Sequence, residues 1–579
     1  MTSAEVDVVV IGSGAAGLSA ALTARQEGLD VLILEKADRI GGTSAISGGT
    51  VWIPLSMQST SSPQDDDIDR VRCYLHDVIG PHRDDRCLEA FLRAGPEALK
   101  YLERHTEAKF VLRERSPDYH PERPGAALGG RSLDPIEFDG RELGRKLFHE
   151  LRDPLAPFMV LGGMMVNMLD VHHLLRVYTS FRSWRHGMKL VLRFAMDRLA
   201  GYHRGTRLVL GNALIARLLK STVEKNIPLW LNTSADSLIL DAGVIKGVTA
   251  SRGDRRLHVT AKRGVVLATG GFPWNEALRS KFFPKPTGPW SMAPETNRGD
   301  GISMALGAGA ALGKQCNDPG HWAPVSIHAR ADGSLQRYVH LAWDRAKPGL
   351  LAVNKAGRRF VNEATSYHSF VRAMYRSEKE GPSIPAVLIC DCDFIESWGM
   401  GLALPGKRRR DHLIRDGYLL KAHSLQELAD LAEIDASGLV QTVARLNQFA
   451  AHGEDPDFGK GSNAYNRHLG DPNHRPNPCL GPLIRAPFYA IKIYPGDIGT
   501  ALGISVDAHA RALDQEDRPI PGLYAVGSDM HSVMGGEYPS AGTTLGPALT
   551  FGWLAGMHLG EQAQHPQSDR RQTIIPAEF

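Results

Sequence analysis

Two stretches of the chain carry residue types that could do chemistry. Near the C-terminal end, GGEYPSAGTTLGPALTFG (535–552) places a lone tyrosine, Tyr538, among glycines just before a helix-like run. A helix start exposes unpaired backbone N–H groups and the positive end of its dipole. Gly542-Thr543-Thr544 could therefore hold an anion or the electron-rich edge of a ring, with Tyr538 overlooking it. The same residues also suit a plain Pro–Gly turn ahead of a buried helix. At the other end, VDVVVIGSGAAGLSAALTARQEGLDVLILEK (6–36) holds Gly12, Gly14 and Gly17 in a GxGxxG pattern. That spacing provides a tight turn, a close backbone approach for a pyrophosphate and close packing of helix on strand.

The elements that must position these residues are legible around them. Val6–Ile11 suits a buried parallel strand, and Leu18, Ala21 and Leu22 keep helical spacing. Glu35 closes the second strand, where a carboxylate can accept both hydroxyls of an adenosine ribose. The paired glycines of GGTSAISGGTVWIP (41–54) suit a second pass of backbone along a long cofactor. RGVVLATGGFPWN (263–275) and PGLYAVGSDM (521–530) read as two further strands returning to the same sheet. In NRGDGISMALGAGA, Asp300 between glycines is expected to contact the cofactor or to cap a helix.

Composition narrows the class. With 579 residues, 42% of them hydrophobic, the chain can bury two or three domain cores. The net charge of +3 from 67 basic and 64 acidic residues gives no sign of a nucleic-acid partner. Six cysteines (Cys73, Cys87, Cys316, Cys390, Cys392, Cys479) form no CxxC pair and no zinc-like cluster, so reduced thiols and no metal are expected. Strand alternation would put Cys390 and Cys392 on one face. The N-terminus lacks the pattern of an export signal and no run of eighteen apolar residues occurs, which together predict a cytoplasmic location.

The set GSGAAGLSAALTA, GGTSAISGG, ATGGF, GDG, VNKAGRRFVNE and GLYAVG resembles the flavoprotein family of fumarate reductases and 3-ketosteroid dehydrogenases over nearly the whole chain. The resemblance implies FAD. It is expected to be noncovalent, because Thr43 and Ser44 stand where covalent members have histidine. It also implies an α/β fold in which a Rossmann-like FAD-binding domain is interrupted by an α+β catalytic domain, with an inserted helical segment. The expected boundaries are 1–150 for the first part of the FAD domain, 151–205 for the insert, 206–300 for the second part, 301–485 for the catalytic domain and 486–579 for the C-terminal part of the FAD domain. Cofactor contacts are expected at Gly12, Gly14, Ala15, Ala16, Gly17, Glu35 and Lys36, and in the second motif at Gly42, Thr43, Ser44, Ser47, Gly48 and Gly49. Further contacts are expected at Ala235, Thr269, Gly270, Asp300, Gly527, Ser528, Thr544 and Leu545.

Three tyrosine segments are similar to those of the 3-ketosteroid Δ1-dehydrogenases: PDYHPERPG with Tyr119, VNEATSYHSFVRAMY with Tyr367, and EYPSAGTTLGPA with Tyr538 and Gly542. Ser540 departs from the glycine common there, and Tyr375 competes with Tyr367 for its role. The resemblance implies that Tyr538 and the Gly542 N–H hold the C3 carbonyl of a 3-ketosteroid. Tyr367 would remove the C2 proton, Tyr119 would support it by a hydrogen bond, and a C1 hydride would go to the flavin. Two donors on the C3 oxygen stabilise the charge that develops there, as an oxyanion hole does. A quinone-like acceptor would take the electrons. The rival reading is a fumarate-reductase-like reductase of an activated C=C bond, for which a dicarboxylate clamp of arginine and histidine is expected.

Within the insert, Arg176, Arg182, Arg185, Lys189, Arg193 and Arg198 face only Asp197, and Leu174, Leu175, Tyr178, Phe181, Met188, Leu192 and Leu199 recur at roughly helical spacing. Such a segment could lie at a membrane surface, peripheral on its inner face, or pack as an amphipathic hairpin on the body of the protein. A similarity to the longer, cholestenone-type Δ1-dehydrogenases favours the first.

Overall fold

The computed structural model describes residues 2–59, 66–341, 344–406 and 410–564. β1 (Thr2–Ile11) lies at the centre of an eight-stranded sheet, parallel to β2 (Val31–Leu34) on one side and to the strand Arg255–Leu267 on the other. Val8, Val9 and Val10 are fully buried, as a parallel strand covered on both faces requires. Leu229–Trp230 extends the sheet beyond β2, and Pro519–Ala525 returns from the far end of the chain to pair in parallel with Arg255–Leu267.

Helix α1 (Ala15–Gln26) is covered by the last helix, Leu545–Gln564. Gly552, Gly556 and Gly560, four residues apart, form one flat stripe. A Cβ on Gly552 would stand 2.5 Å from Ala16 O and one on Gly556 2.6 Å from Thr23 Cβ, so only glycine permits this approach. The C-terminal helix is thereby locked with its N-terminus beside that of α1.

A second, six-stranded antiparallel sheet runs in the order Leu335–Val339, Gly320–Ala329, Phe488–Thr500, Ala386–Cys390, Leu350–Val353, with Leu420–Ala422 also on Phe488–Thr500. Leu425–Ala432 and Ala436–His452 supply a separate apolar core with Leu351, Val353, Val387 and Ile389 of this sheet. Helix Tyr367–Glu380 packs against Gly320–Ala329. Two boundaries differ from those expected. Phe488–Thr500 is a thirteen-residue strand of the second sheet, so that sheet extends past residue 485. Helix Asp300–Gly307 packs on Ser234–Asp241 of the first sheet and stays with the dinucleotide half. Cys390 ends a strand and Cys392 opens the helix Cys392–Ser397, so they share no strand face.

The insert forms a hairpin, Met159–Val160 with Met164–Met165, followed by helices Met168–Leu175 and Phe181–Leu199. Its own core is small, built on Met164, Val166 and Leu190. Buried carboxylates tie it to the body: Asp170 binds His186 and Arg207, and Asp197 accepts from Arg141 and Thr206. Arg193 is paired with Asp139 at 3.0 Å, so it is not one of the free cations that its place in the basic run suggests. No helix among the described residues is long and apolar enough to cross a membrane.

Candidate active site

One cavity of about 2030 Å³ runs from the glycine turn after β1, between the two sheets, to the insert. At its base Gly12 adopts φ +113, and a Cβ there would stand 2.2 Å from Ala268 O, so the turn can pass under the neighbouring strand only as glycine. Gly14 caps α1 without a side chain, and the Ala15 N–H donates to Ser44 Oγ at 3.1 Å. Cβ atoms built on Gly14, Gly42 and Gly48 would meet nothing closer than 3.6 Å and would fill the cavity itself. These glycines thus form a trough for a long ligand with polar linking groups. The N-termini of α1 and of helix Leu545–Gln564 open onto it, which suits a pyrophosphate and the electron-rich edge of a flavin.

All the residues expected to contact the cofactor line this cavity except Gly17, which is buried in the first turn of α1 against Gly12 O, where a Cβ would clash at 2.2 Å. Glu35 lines the cavity while accepting from the Ser13 N–H at 3.0 Å and the Ala37 N–H at 2.8 Å, so its carboxylate is held rigidly at the end of β2. Asp300 does not cap its helix: Gly299 holds that position, and Asp300 pairs with Lys36 at 2.7 Å on the cavity wall. Two supporting residues carry no sequence signal of their own. Asp529, fully buried, accepts from Thr269 Oγ1 and the Gly271 N–H, both at 2.9 Å. Asn297 donates to Thr43 Oγ1 and Gly270 O, both at 3.2 Å, joining two of the glycine loops.

Farther in, four tyrosines converge. Tyr119 Oη donates to Tyr367 Oη at 3.2 Å, and the Tyr538 ring lies 5.8 Å from Tyr119 and 5.1 Å from Tyr367. Tyr465, absent from the sequence reading, completes the cluster 4.8 Å from Tyr119. Apolar side chains (Met292, Ala323, Val325, Val339) surround it. Burial pushes the phenols of Tyr119 and Tyr367 well above their ordinary value. Tyr375 is turned away from the cavity against Trp322, its ring 5.7 Å from the indole.

Each tyrosine is held by distant parts of the chain. Tyr119 N donates to Pro539 O at 2.9 Å, which ties its loop to that of Tyr538. Behind it Asp118 forms a buried pair with Arg131 at 2.8 Å. Tyr367 opens its helix directly after the N-cap Ser366. Gly542 (φ +96) lies against the strand Val51–Trp52 and accepts from the Trp52 N–H at 3.0 Å; its own N–H finds no acceptor among the described residues. His321, on the cavity wall, packs edge-on to Tyr538 at 5.5 Å and is pushed down to about 3 by burial, so it is neutral. His368 Nδ1 accepts from the Trp322 N–H, which leaves Nε2–H to donate to Asp318 at 3.0 Å.

The arrangement offers a hydrogen-bonded phenol pair with the Tyr538 ring beside it, in an apolar chamber next to a dinucleotide trough, and Gly542 lines the same cavity. Comparisons with known proteins bear on the fold and the family. Residues 7–545 match the family described as FAD binding domain. A 3-oxosteroid 1-dehydrogenase of Mycobacterium tuberculosis (strain ATCC 25618 / H37Rv) is 36% identical over 97% of this chain and 100% of that protein. A 4-oxocyclohex-2-ene-1-carboxylate 5-dehydrogenase of Sinomonas cyclohexanicum is 39% identical over 97% of this chain and 95% of that protein. The crystal structure of a 3-ketosteroid delta1-dehydrogenase from Sterolibacterium denitrificans, in complex with 1,4-androstadiene-3,17-dione, superposes with a TM-score of 0.90 at 37% identity, covering 96% of this chain and 100% of that one. By fold, trough and sequence together, the chain belongs to the FAD-binding flavoprotein family, in the branch of the 3-ketosteroid Δ1-dehydrogenases.

Proposed function

We propose that the protein desaturates the C1–C2 bond of the A ring of 3-ketosteroids. The observation that carries this reading is the convergence of Tyr119, Tyr367 and Tyr538 in an apolar chamber adjoining the FAD trough, with Gly542 lining the same cavity. Tyr538 Oη and the Gly542 N–H donate to the C3 oxygen and acidify the C2 hydrogens; each such donor contributes about 2.7–4 kcal/mol at the transition state. Tyr367, as its anion, takes the C2 proton, and Tyr119 donates to that oxygen and spreads its charge. FAD, which Gly12, Gly14, Gly42 and Gly48 would hold noncovalently along the trough, would supply the hydride acceptor for C1, with a quinone-like carrier as the final electron acceptor. The apolar walls exclude water from the enolate that forms on the steroid.

The relatives' names share the dehydrogenation of a six-membered ring bearing a ketone, but they differ in whether that ring stands alone or is fused into a steroid. The cavity continues past the tyrosines to Leu155, Met168, Leu175 and Tyr178 of the insert and to Trp398–Gly406, which favours a polycyclic apolar substrate over a monocyclic acid. The fumarate-like alternative needs cations at the reacting carbons; Met292, Ala323, Val325 and Val339 stand around the phenols instead. Incubating the holoenzyme with a 4-ene-3-ketosteroid and an artificial electron acceptor tests the reading: it requires a product two hydrogens lighter, carrying a 1,4-diene-3-one chromophore. Turnover of fumarate or of an oxocyclohexene carboxylate, with none of the steroid, would refute it.

The insert suits contact with a lipid surface. Phe181, Leu192, Met196 and Leu199 are exposed beside Arg182, Arg185 and Lys189, and Met168, Leu175 and Tyr178 of the same segment line the cavity. A substrate that partitions into lipid would enter there. Flotation with anionic liposomes at low salt, lost when Arg182, Arg185 and Lys189 are changed to glutamate, is the expected result; no flotation of the unaltered protein would make the insert a packed lid.

A further inference from the structure

Arg345 is fully buried, yet among the described residues no carboxylate is hydrogen-bonded to its guanidinium. Nε donates to His340 O at 2.9 Å, Nη1 to Glu363 O at 2.8 Å and Thr365 O at 3.2 Å, and Nη2 to Leu341 O. The planar group lies over the Phe370 ring, 4.7 Å from its centre. The acids nearby are committed elsewhere. Asp344 accepts from His340 Nδ1–H at 2.5 Å, and Glu363 is gripped by Arg359 at 2.8 Å and Lys460 at 3.4 Å. A buried cation held only by carbonyl dipoles is expensive unless its charge or its geometry is used.

Both are aimed at the tyrosines. The carbonyls of Glu363 and Thr365 form the approach to helix Tyr367–Glu380, and Phe370 stands on its first turn, so Arg345 grips that helix start from two sides. Leu341, whose carbonyl accepts from Nη2, packs against the tyrosine cluster, so the charge lies beside it and is felt at Tyr119 and Tyr465. We propose that Arg345 is a positioning residue for the desaturation: it fixes the turn that presents Tyr367, and its fixed positive charge favours the tyrosinate form of the Tyr119–Tyr367 pair. This rests on the reading of Tyr367 as the base. The other groups facing the pair are Tyr465, Tyr538 and Arg113, the last paired with Asp134; His321 and His368 flank Tyr538; and Asp344 and Glu363 offset part of the Arg345 field.

The test is the pH dependence of kcat/KM with a 4-ene-3-ketosteroid for flavin-replete wild type, Arg345→Lys, Arg345→Met and Arg345→Gln, with Tyr367→Phe as control. Arg345→Lys keeps the charge without the fork: its rate falls, while the alkaline rise stays at the wild-type pH. In Arg345→Met the rise moves about one pH unit or more to the alkaline side, a loss of at least about tenfold at neutral pH. Arg345→Gln carries the same expectation should Arg345→Met lose its flavin. Rises at the wild-type pH in the neutral variants, however slow they are, would leave Arg345 a structural residue and overturn the proposal. A Tyr367→Phe enzyme with normal turnover would overturn the base assignment instead, so the two failures are distinguishable.

Discussion

Arg372 and Glu537 form a two-bonded ion pair, Nη1 to Oε2 at 2.8 Å and Nη2 to Oε1 at 2.6 Å. Arg372 belongs to the helix that begins with Tyr367, and Glu537 directly precedes Tyr538. The pair therefore clamps the element carrying the base to the loop carrying the carbonyl donor, and Arg372 also reaches Asp318, the partner of His368.

Breaking the clamp is expected to separate positioning from cofactor binding. Arg372→Gln should lower kcat about 10- to 100-fold through misplacement of the two phenols. It should also lower stability by about 1.5–3 kcal/mol, the usual worth of hydrogen bonds to charged groups. Denaturant titration and steady-state kinetics check this; a variant with unchanged kcat would show that the clamp does not set the spacing.

Tyr538→Phe removes one carbonyl donor from a buried apolar cluster and leaves the glycine trough untouched. The expected loss is about 10²–10³ in kcat, with a full complement of FAD by absorbance. Wild-type turnover in the flavin-replete variant would rule out Tyr538 as a donor.

Gly542→Ala tests the other donor. Its backbone has φ +96, and an added Cβ would stand 2.7 Å from Thr50 O and Trp52 N. The loop must move, taking Thr543–Leu545 away from the trough, so the variant should lose both stability and FAD affinity, the latter measured by fluorescence titration. Wild-type FAD affinity would mean that the loop tolerates the displacement.

The pH profile follows from the burial of the phenol pair. The reactive form of Tyr367 is the anion, and burial raises its phenol above the usual value near 10, so below that point the active fraction falls about tenfold per pH unit. The kcat/KM value should keep climbing through pH 9 to the limit of the enzyme's stability. A plateau below pH 9 would point to a different base.

Sequence legibility tracked locality. The GxGxxG turn and the glycine pairs after each strand were readable because a dinucleotide demands backbone space at fixed offsets within one segment, and Tyr538 with Gly542 stood out because donor and helix start are neighbours in the chain. Tyr465, His321 and Arg345 were not, because the second sheet and the segments around it bring them to the site from stretches that carry no motif of their own; Asp529 follows a first-sheet strand, but its partners Thr269 and Gly271 lie far away in the chain. Phe488–Thr500 is buried along most of its length on both faces, and nothing local says which sheet it joins; its pairing with Gly320–Ala329 and Ala386–Cys390 does. Asp300 looked like a cap by type, but Gly299 at φ +79 already makes the turn.

The central claim is that a 3-ketosteroid gives its C2 proton to Tyr367 and its C1 hydride to the flavin. Rapid anaerobic mixing of the yellow holoenzyme with a 4-ene-3-ketosteroid, followed by flavin absorbance, tests it most directly. The account predicts bleaching within the turnover time of the wild-type enzyme and bleaching slowed at least about 10²-fold in flavin-replete Tyr367→Phe, the low end of what a positioned general base contributes. A wild-type protein that stays yellow with every such steroid, or a Tyr367→Phe protein that bleaches at the wild-type rate, would contradict it.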